Sequence, residues 1–226
     1  MESGKVTSRQ IIQQLKSQKN EKNIAGMARF GIKGGQMLGI SMPVLRKIAK
    51  DIKKSRENTH QLAQELWDSG IHEAKILASL IDDPKLVTSS QMDAWIRDFD
   101  SWDVCDQVCM NLFCQTDLAA QKIRTWVKLE PEFERRAGFT LLAVWAWKRK
   151  DIDEKIIAAF LPRTLEYATD ERNYVRKAVN WALRQIGKRS VYLKLEALKI
   201  AREILKLNNK TAHWIANDAI RELEKK

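Results

Sequence analysis

Residues 175–190 read VRKAVNWALRQIGKRS, a stretch whose apolar residues return every three or four positions. This spacing is typical of one face of an amphipathic α-helix. Alignment on four alanines gives offsets of 63, 41 and 38 residues, and the last two match the ~40-residue period of stacked helical-pair repeats. The aligned segments, which share a polar or basic start followed by a small residue, are HEAKILASLIDDP with Ala74, RRAGFTLLAVWAWKRK with Ala137, VRKAVNWALRQIGKRS with Ala178 and HWIANDAIREL with Ala216.

Helical periodicity also dominates the rest of the chain, for example in IIQQLKSQ, VLRKIAKDIKK and LKLEALKIAREILKL. No alternating strand pattern competes with it, and 226 residues suffice for one run of repeats with a substantial core. We therefore predict an all-α fold, a solenoid of antiparallel helix pairs. Residues 1–226 are expected to form a single domain with a concave basic groove. A helical globule without repeat geometry is the alternative.

The charge of the chain is positive and unevenly distributed. The formal net charge is +11 and the pI is about 9.6. Residues 171–226 contain 14 Lys/Arg against 6 Asp/Glu, which is +8 of the total. This favours a polyanionic partner such as nucleic acid, with a merely solvated basic surface as the alternative.

The sequence shows no membrane or secretory segment. No stretch approaches the roughly 18–20 consecutive apolar residues of a membrane span. The first ten residues, MESGKVTSRQ, are polar and lack the apolar core of a signal peptide. These features predict a cytoplasmic protein.

Three cysteines, Cys105, Cys109 and Cys114, lie within ten residues of one another. An odd number inside one helical segment argues against a disulfide framework. The spacing lacks the CxxC pairs of a structural zinc site, and no histidine lies near. We predict small core residues and no metal or other cofactor.

The segment FGIKGGQMLGISMP, residues 30–43, is the most irregular part of the chain and holds four of its nine glycines. It does not match the GxxxxGK[ST] pattern of a phosphate-binding loop. Ser41 is a plausible N-cap for a helix that begins at Met42. We expect a mobile loop that leads into this helix and could present backbone amides to a ligand.

The segment SWDVCDQVC places a tryptophan and a carboxylate among residues suited to burial. Trp102 and Asp106 are four residues apart and are therefore neighbours on one helix face. Asp103, in the first turn, is favoured there by the helix dipole alone. A partly buried carboxylate needs a partner or a shifted pKa, so Asp106 is a candidate functional residue. An ion pair from Asp106 to Arg135 or Arg136 is the structural alternative.

Tryptophans interleaved with basic residues are the combination with which a nucleic-acid surface neutralises phosphates and stacks on bases. Trp145 is expected in the core, whereas Trp181 is expected to face a groove, with a position in the core as the alternative. The neighbouring cations are Arg176, Lys177, Arg184 and Lys188 around Trp181, and Lys148 and Arg149 after Trp145 and Trp147.

Four segments together resemble the HEAT-like-repeat DNA alkylation repair family, whose best-known members are AlkD-type alkylpurine DNA glycosylases. The resemblance runs from about residue 22 to the last helix. It implies a superhelix of paired helices whose concave, basic face holds duplex DNA, alkylated or branched, with a monomeric protein associated with the nucleoid. The segments are MARFGIKGGQMLGISMPVLRKIAK, SWDVCDQV, ERRAGFTLL and YVRKAVNWALRQIGK.

Position by position, the resemblance implies a catalytic pair at Trp102 and Asp106. It also implies a groove arginine at Arg136, a second groove tryptophan at Trp181 and a further basic groove position at Arg184. The remaining expected DNA contacts are Phe30, Ser41, Arg176, Lys177, Lys148, Arg149 and Lys188.

Phe30 departs from the family pattern, because the glycosylase members carry an aromatic hydroxyl there, as MARY. Phe30 keeps the ring and loses the hydroxyl. The loop that follows looks more like a branch of the family that resembles proteins suggested to bind branched or distorted DNA. Three functions are therefore open: a glycosylase for N3-methyladenine and N7-methylguanine, a DNA-structure-binding protein with little or no excision, and a protein-binding scaffold.

Overall fold

The computed structural model of the protein describes residues 6–55 and 58–225, and this part of the chain is helical without any β-strand. The all-α prediction is confirmed. The chain forms two compact units, unit 1 (Met1–Leu112) and unit 2 (Phe113–Lys226). Within the described ranges, every helix is too short or too polar to cross a lipid bilayer.

Unit 1 has a core of leucines, isoleucines and tryptophans. The indole rings of Trp67 and Trp95 stack with 3.9 Å between their centroids and 2° between their planes. The Trp67 indole N–H donates to the Asp98 carboxylate at 2.8 Å, which fixes the stack at the surface of the core. The helices of the unit are α1 (Ser8–Ser17), α2 (Glu21–Arg29), α3 (Met42–Ser55), α4 (His60–Asp68), α5 (His72–Ile81), α6 (Ser89–Arg97) and α7 (Trp102–Asn111).

The glycine-rich loop between α2 and α3 is held by two carboxylates. Glu73, which is 1% exposed in the first turn of α5, accepts three backbone N–H groups from residues 38–40, at 2.8, 2.6 and 3.3 Å. Asp100 accepts the N–H of Gly35 at 3.0 Å. The position of the loop is as predicted. Its bonding differs from the expected mobile loop, because these amides bind carboxylates of the protein itself.

Unit 2 contains longer helices that pack pairwise. Helix α9 packs against α12, and α12 packs against α13 and α14. The elements are a short 3-10 turn (Phe113–Gln115), α8 (Ala119–Trp126), α9 (Glu132–Lys148), α10 (Glu154–Ala158), α11 (Leu161–Glu166), α12 (Asn173–Gly187), α13 (Val191–Leu205) and α14 (Lys210–Leu223).

Three of the four alanines that marked the sequence repeat are buried on helices of unit 2. Ala137, Ala178 and Ala216 lie on α9, α12 and α14, and each is fully buried. Small side chains let neighbouring helices approach closely. Gly138 allows a still closer approach, because a Cβ there would lie 2.5 Å from the backbone nitrogen of Val127. The ~40-residue spacing therefore corresponds to successive packed helices of unit 2.

The three cysteines are buried, as predicted, and none of them is joined to another by a disulfide. Cys105 and Cys109 lie on the inner face of α7, and Cys114 lies in the 3-10 turn. Burial raises the pKa of the Cys114 thiol, despite the nearby cations Lys148 and Arg149. A buried thiol of this kind behaves as a small apolar side chain.

Candidate functional site

Helix α7 carries the predicted catalytic pair. Trp102 is its first residue and Asp106 lies one turn later, and both side chains are half-buried. The indole N–H of Trp102 donates to the backbone carbonyl of Phe30 at 3.1 Å. This bond fixes the ring against the end of α2, while the Phe30 side chain itself is 76% exposed.

A cavity of about 700 Å³ opens beside Trp102, and α2, the glycine-rich loop, α5 and α7 form its walls. It brings together three residues that the sequence analysis selected: Phe30, Ser41 and Trp102. Its lining also includes groups that the sequence analysis did not select, namely Lys22, Asn23, Arg29, His72, Glu73, Asp103 and Gln107.

One wall of this cavity contains a buried histidine–carboxylate pair. The His72 Nε2 lies 2.8 Å from Asp103 Oδ2, and the Ser101 hydroxyl donates to the other oxygen of Asp103. Burial alone would lower the pKa of His72, but the hydrogen bond and charge of Asp103 raise it above the ordinary 6.5. Burial would likewise raise the pKa of Asp103, but the hydrogen bond and charge of His72, together with the hydrogen bonds from Ser101 and the Val104 backbone, lower it. Asp103 therefore has a structural partner beyond the helix dipole that the sequence suggested.

Arg135 and Arg136, one turn after the start of α9, are both buried. Arg136 donates from Nη1 to the carbonyl of Tyr174 at 2.8 Å, with its guanidinium 6.0 Å from the centre of that ring. Arg135 donates to Asp170 at 2.8 Å and to Glu130 at 3.0 Å. Arg135 is thus a structural cation of unit 2, and Arg136 is a buried cation beside an aromatic ring.

Helix α12 carries Trp181, which is half-buried, with Lys177 exposed one turn before it. Toward the end of the helix, Arg184 and Lys188 both pair with the carboxylate of Glu222 on α14. Burial opposes ionisation of Glu222, but the hydrogen bonds from these two cations lower its pKa. Two of the predicted DNA contacts therefore share one carboxylate partner within unit 2.

The other predicted cations of unit 2 lie against tryptophans or carboxylates. Arg176 lies over the ring of Trp214 at 5.3 Å, and this 41%-exposed tryptophan was not selected from the sequence. Arg149 pairs with Asp151 at 2.7 Å. That hydrogen bond holds the pKa of Asp151 well below its ordinary value. Trp145 is buried in the core, as expected.

Lys148 is exposed at the end of α9 and lies 5.8 Å from the ring of the neighbouring Trp147. Trp147 is itself 45% exposed. The pair therefore leaves an aromatic face and a cation together at the surface of unit 2, which suits a polyanion.

The helix-pair architecture can be compared with that of known proteins. One solved structure superposes with a TM-score of 0.77 over 96% of this chain and 95% of its own, at 23% sequence identity. It belongs to a family of proteins related to the HEAT-like repeat DNA glycosylases with affinity for branched DNA structures. This similarity establishes a HEAT-like repeat fold.

The family assignment rests on a second comparison. The family model for the DNA alkylation repair enzyme matches residues 11–223, nearly the whole chain. The protein therefore belongs to the DNA alkylation repair family, and the resemblance inferred from its sequence is confirmed. A comparison with curated proteins found no match.

Proposed function

We propose that this protein binds duplex DNA and hydrolyses the N-glycosidic bond of cationic alkylpurines such as N3-methyladenine and N7-methylguanine. The observation that carries the proposal is the pair on α7, where the Trp102 ring is fixed by its bond to the Phe30 carbonyl. Asp106 lies one helical turn away and is half-buried. Membership of the DNA alkylation repair family supports the same reaction class.

The chemistry suits a carboxylate beside an aromatic ring. Alkylation at N3 or N7 leaves the purine positively charged, so it departs from the sugar without needing a strong acid. The bond between C1′ and the purine nitrogen breaks, and its electron pair neutralises the base. Asp106 stabilises the electron-poor sugar, as carboxylates do in glycoside hydrolysis, and accepts a proton from the water that adds to C1′. The Trp102 ring attracts the cationic character nearby.

The sequence-independent part of DNA affinity comes from cations that neutralise phosphates. Within unit 2, we assign this role to the exposed Lys177 and Lys148, with the half-buried Trp181 as a ring for stacking. We propose that the protein acts on DNA as a monomer, in the cytoplasm and on the nucleoid, without a cofactor. Affinity for duplex DNA should fall steeply as salt rises, and affinity independent of salt would favour a protein-binding scaffold instead.

The decisive experiment compares the Asp106→Asn variant with the wild-type protein in release of methylated purines from duplex DNA. We expect the variant to lose about 10²–10³-fold in single-turnover rate, as when a group that stabilises developing charge is removed. Its DNA affinity should be similar or higher. Asp51→Asn, which removes an exposed carboxylate from α3 in the same unit, is the matched control. Wild-type release no faster than spontaneous depurination would reject the glycosylase.

Binding of branched DNA without excision is the second candidate, and the exposed Phe30 favours it. A 76%-exposed ring without a hydroxyl can stack on an unpaired base, but it offers no hydrogen bond to a sugar or phosphate. The solved relative with affinity for branched DNA supports this candidate. A four-way junction should then bind more tightly than a linear duplex of equal length, and Phe30→Ala should reduce this preference while Phe30→Tyr keeps it.

A further inference from the structure

We propose that the cavity of unit 1 binds a single unpaired nucleotide, with its base inside the cavity and its phosphate at the rim. The inference rests on the proposed DNA binding and adds a site at which one nucleotide leaves the base stack. Enzymes that act on a base commonly hold it in such a pocket, between apolar or aromatic side chains.

The shape and apolar lining of the cavity suit a flat ring. Its volume of about 700 Å³ lies within the range of small-molecule sites. The rings of Trp102 and Phe30 contribute to its lining, and aliphatic side chains supply a further apolar part of the wall. These side chains are Met27, Ile32, Ile40, Met42 and Ile76.

Two polar groups in the cavity are available to a base edge. The side-chain carbonyl of Gln107 accepts a bond from Asn111 at 3.1 Å, which leaves the Gln107 amide N–H groups without a partner in the described part of the chain. The Ser41 hydroxyl is likewise unbonded there. A hydroxyl can donate and accept, whereas an amide nitrogen only donates, so together they match the mixed edge of a purine.

The charge at the rim suits a phosphate. Lys22 and Arg29 are exposed, lie seven residues apart on α2 and therefore share a helix face. Neither forms an ion pair with any described residue, whereas Lys19 nearby pairs with Glu21 at 2.7 Å.

The carboxylates of the cavity wall do not neutralise these cations. Glu73 is bound by three backbone amides and Asp103 by His72. The rim therefore carries two cations that form no ion pair with a described carboxylate, next to an aromatic cavity.

The test measures binding of three DNAs of the same sequence by fluorescence anisotropy. One is a fully paired duplex, one carries a single extra adenine, and one carries an abasic residue in place of that adenine. We expect the wild-type protein to bind the adenine bulge about tenfold more tightly than the abasic bulge, or about 1.4 kcal/mol. This lies within the range reported for stacking one base on an aromatic ring.

A cavity-filling variant shows whether the preference comes from this site. Gly26 lines the cavity, and a Cβ added there meets no atom within 4 Å, so Gly26→Leu should extend into the space without disturbing α2. It should remove the tenfold preference and leave affinity for the paired duplex unchanged. Ala28→Leu, on the exposed side of the same helix and outside the cavity, is the matched control and should keep the preference.

Each result decides the question. Equal binding of the adenine and abasic bulges by the wild-type protein overturns the proposal, and so does a preference that survives in Gly26→Leu. If no DNA binds at all, the proposed function fails, and 2-aminopurine deoxyribonucleoside monophosphate then tests the cavity alone. Quenching of its fluorescence by the wild-type protein and not by Gly26→Leu keeps the nucleotide site, and its absence removes the site as well.

Discussion

The two units of the chain differ in their net charge and in the groups that bind their carboxylates. Residues 1–112 contain 16 Lys/Arg and 14 Asp/Glu, whereas residues 113–226 contain 24 and 15, so the second half carries +9 of the net +11. In unit 1, the carboxylate of Glu73 is bound by backbone amides. In unit 2, the carboxylate of Glu222 is bound by Arg184 and Lys188.

This difference shows that the net charge of a region does not locate the cations that can bind a phosphate. Several arginines of unit 2 are held by carboxylates of the same unit. In the nearly neutral unit 1, backbone amides and a histidine bind the buried acids, so Lys22 and Arg29 keep their charge available. Phosphate affinity depends on how many cations lack a competing carboxylate. The net charge of a unit does not give that number.

The largest expected effect tests whether backbone amides, and not cations, hold the buried carboxylate of Glu73 in unit 1. Glu73→Ala leaves three buried N–H groups of residues 38–40 without an acceptor, and each unsatisfied buried donor costs about 1–3 kcal/mol. We expect the free energy of unfolding in urea to fall by about 3 kcal/mol or more. Glu65→Ala, at an exposed carboxylate of α4, should change it by less than about 0.5 kcal/mol. Equal losses for the two variants would mean that the loop is not held by Glu73.

The His72–Asp103 pair gives unit 1 a distinctive dependence on pH. The interactions that raise the pKa of His72 stabilise the folded protein fully below pH 6.5. This stabilisation is lost as pH rises through the raised pKa. The interactions that lower the pKa of Asp103 stabilise the folded protein above pH 3.8. This stabilisation is lost as pH falls through the lowered pKa. The stability difference between wild type and Asp103→Asn should therefore be largest, about 1.5–3 kcal/mol, between these limits.

Urea unfolding of the wild type, Asp103→Asn and the control Asp51→Asn at pH 5.5 and pH 8.5 measures this effect. The difference for Asp103→Asn should shrink at the higher pH, while that for Asp51→Asn should stay small throughout. A difference that grew with pH would show that His72 is not protonated in the folded protein.

The smallest effect concerns the carboxylate that neutralises the end of α12. Glu222→Gln should raise DNA affinity a few-fold at low salt, because Arg184 and Lys188 lose a competing anion. The slope of log affinity against log salt should steepen by about 0.9 for each phosphate gained. Glu203→Gln removes the same charge from an exposed pair with Lys206 on α13 and should leave the slope unchanged. Equal changes in both variants would assign the effect to net charge alone.

The sequence predicted most of the fold because helix packing leaves a local pattern. The spacing of Ala137, Ala178 and Ala216 follows from the close approach of α9, α12 and α14, and small side chains at fixed intervals are visible without a structure. The position of the glycine-rich loop was also visible, since glycines mark irregular backbone. The bonding of that loop was not, because Glu73 binds backbone groups about 35 positions earlier in the chain, and amides exist at every position.

The candidate site was predicted in part. Trp102 and Asp106 were identifiable because a polar residue interrupts an apolar helix face. The availability of Lys22 and Arg29 depends on the absence of a nearby carboxylate, and the neutralisation of Lys188 depends on Glu222, which is 34 residues later. Such pairings between helices leave no signal in one sequence.

The stack of Trp67 and Trp95 has an optical consequence. Two indole transition dipoles held 3.9 Å apart couple strongly, so their ultraviolet absorption bands split, and rotation of one dipole relative to the other within the parallel ring planes produces a circular dichroism signal of paired, opposite sign. Because both rings belong to unit 1, this signal reports on the packing of α4 against α6. Its loss during a urea titration, followed beside the helical signal of the whole chain, would time the melting of unit 1 without an added label.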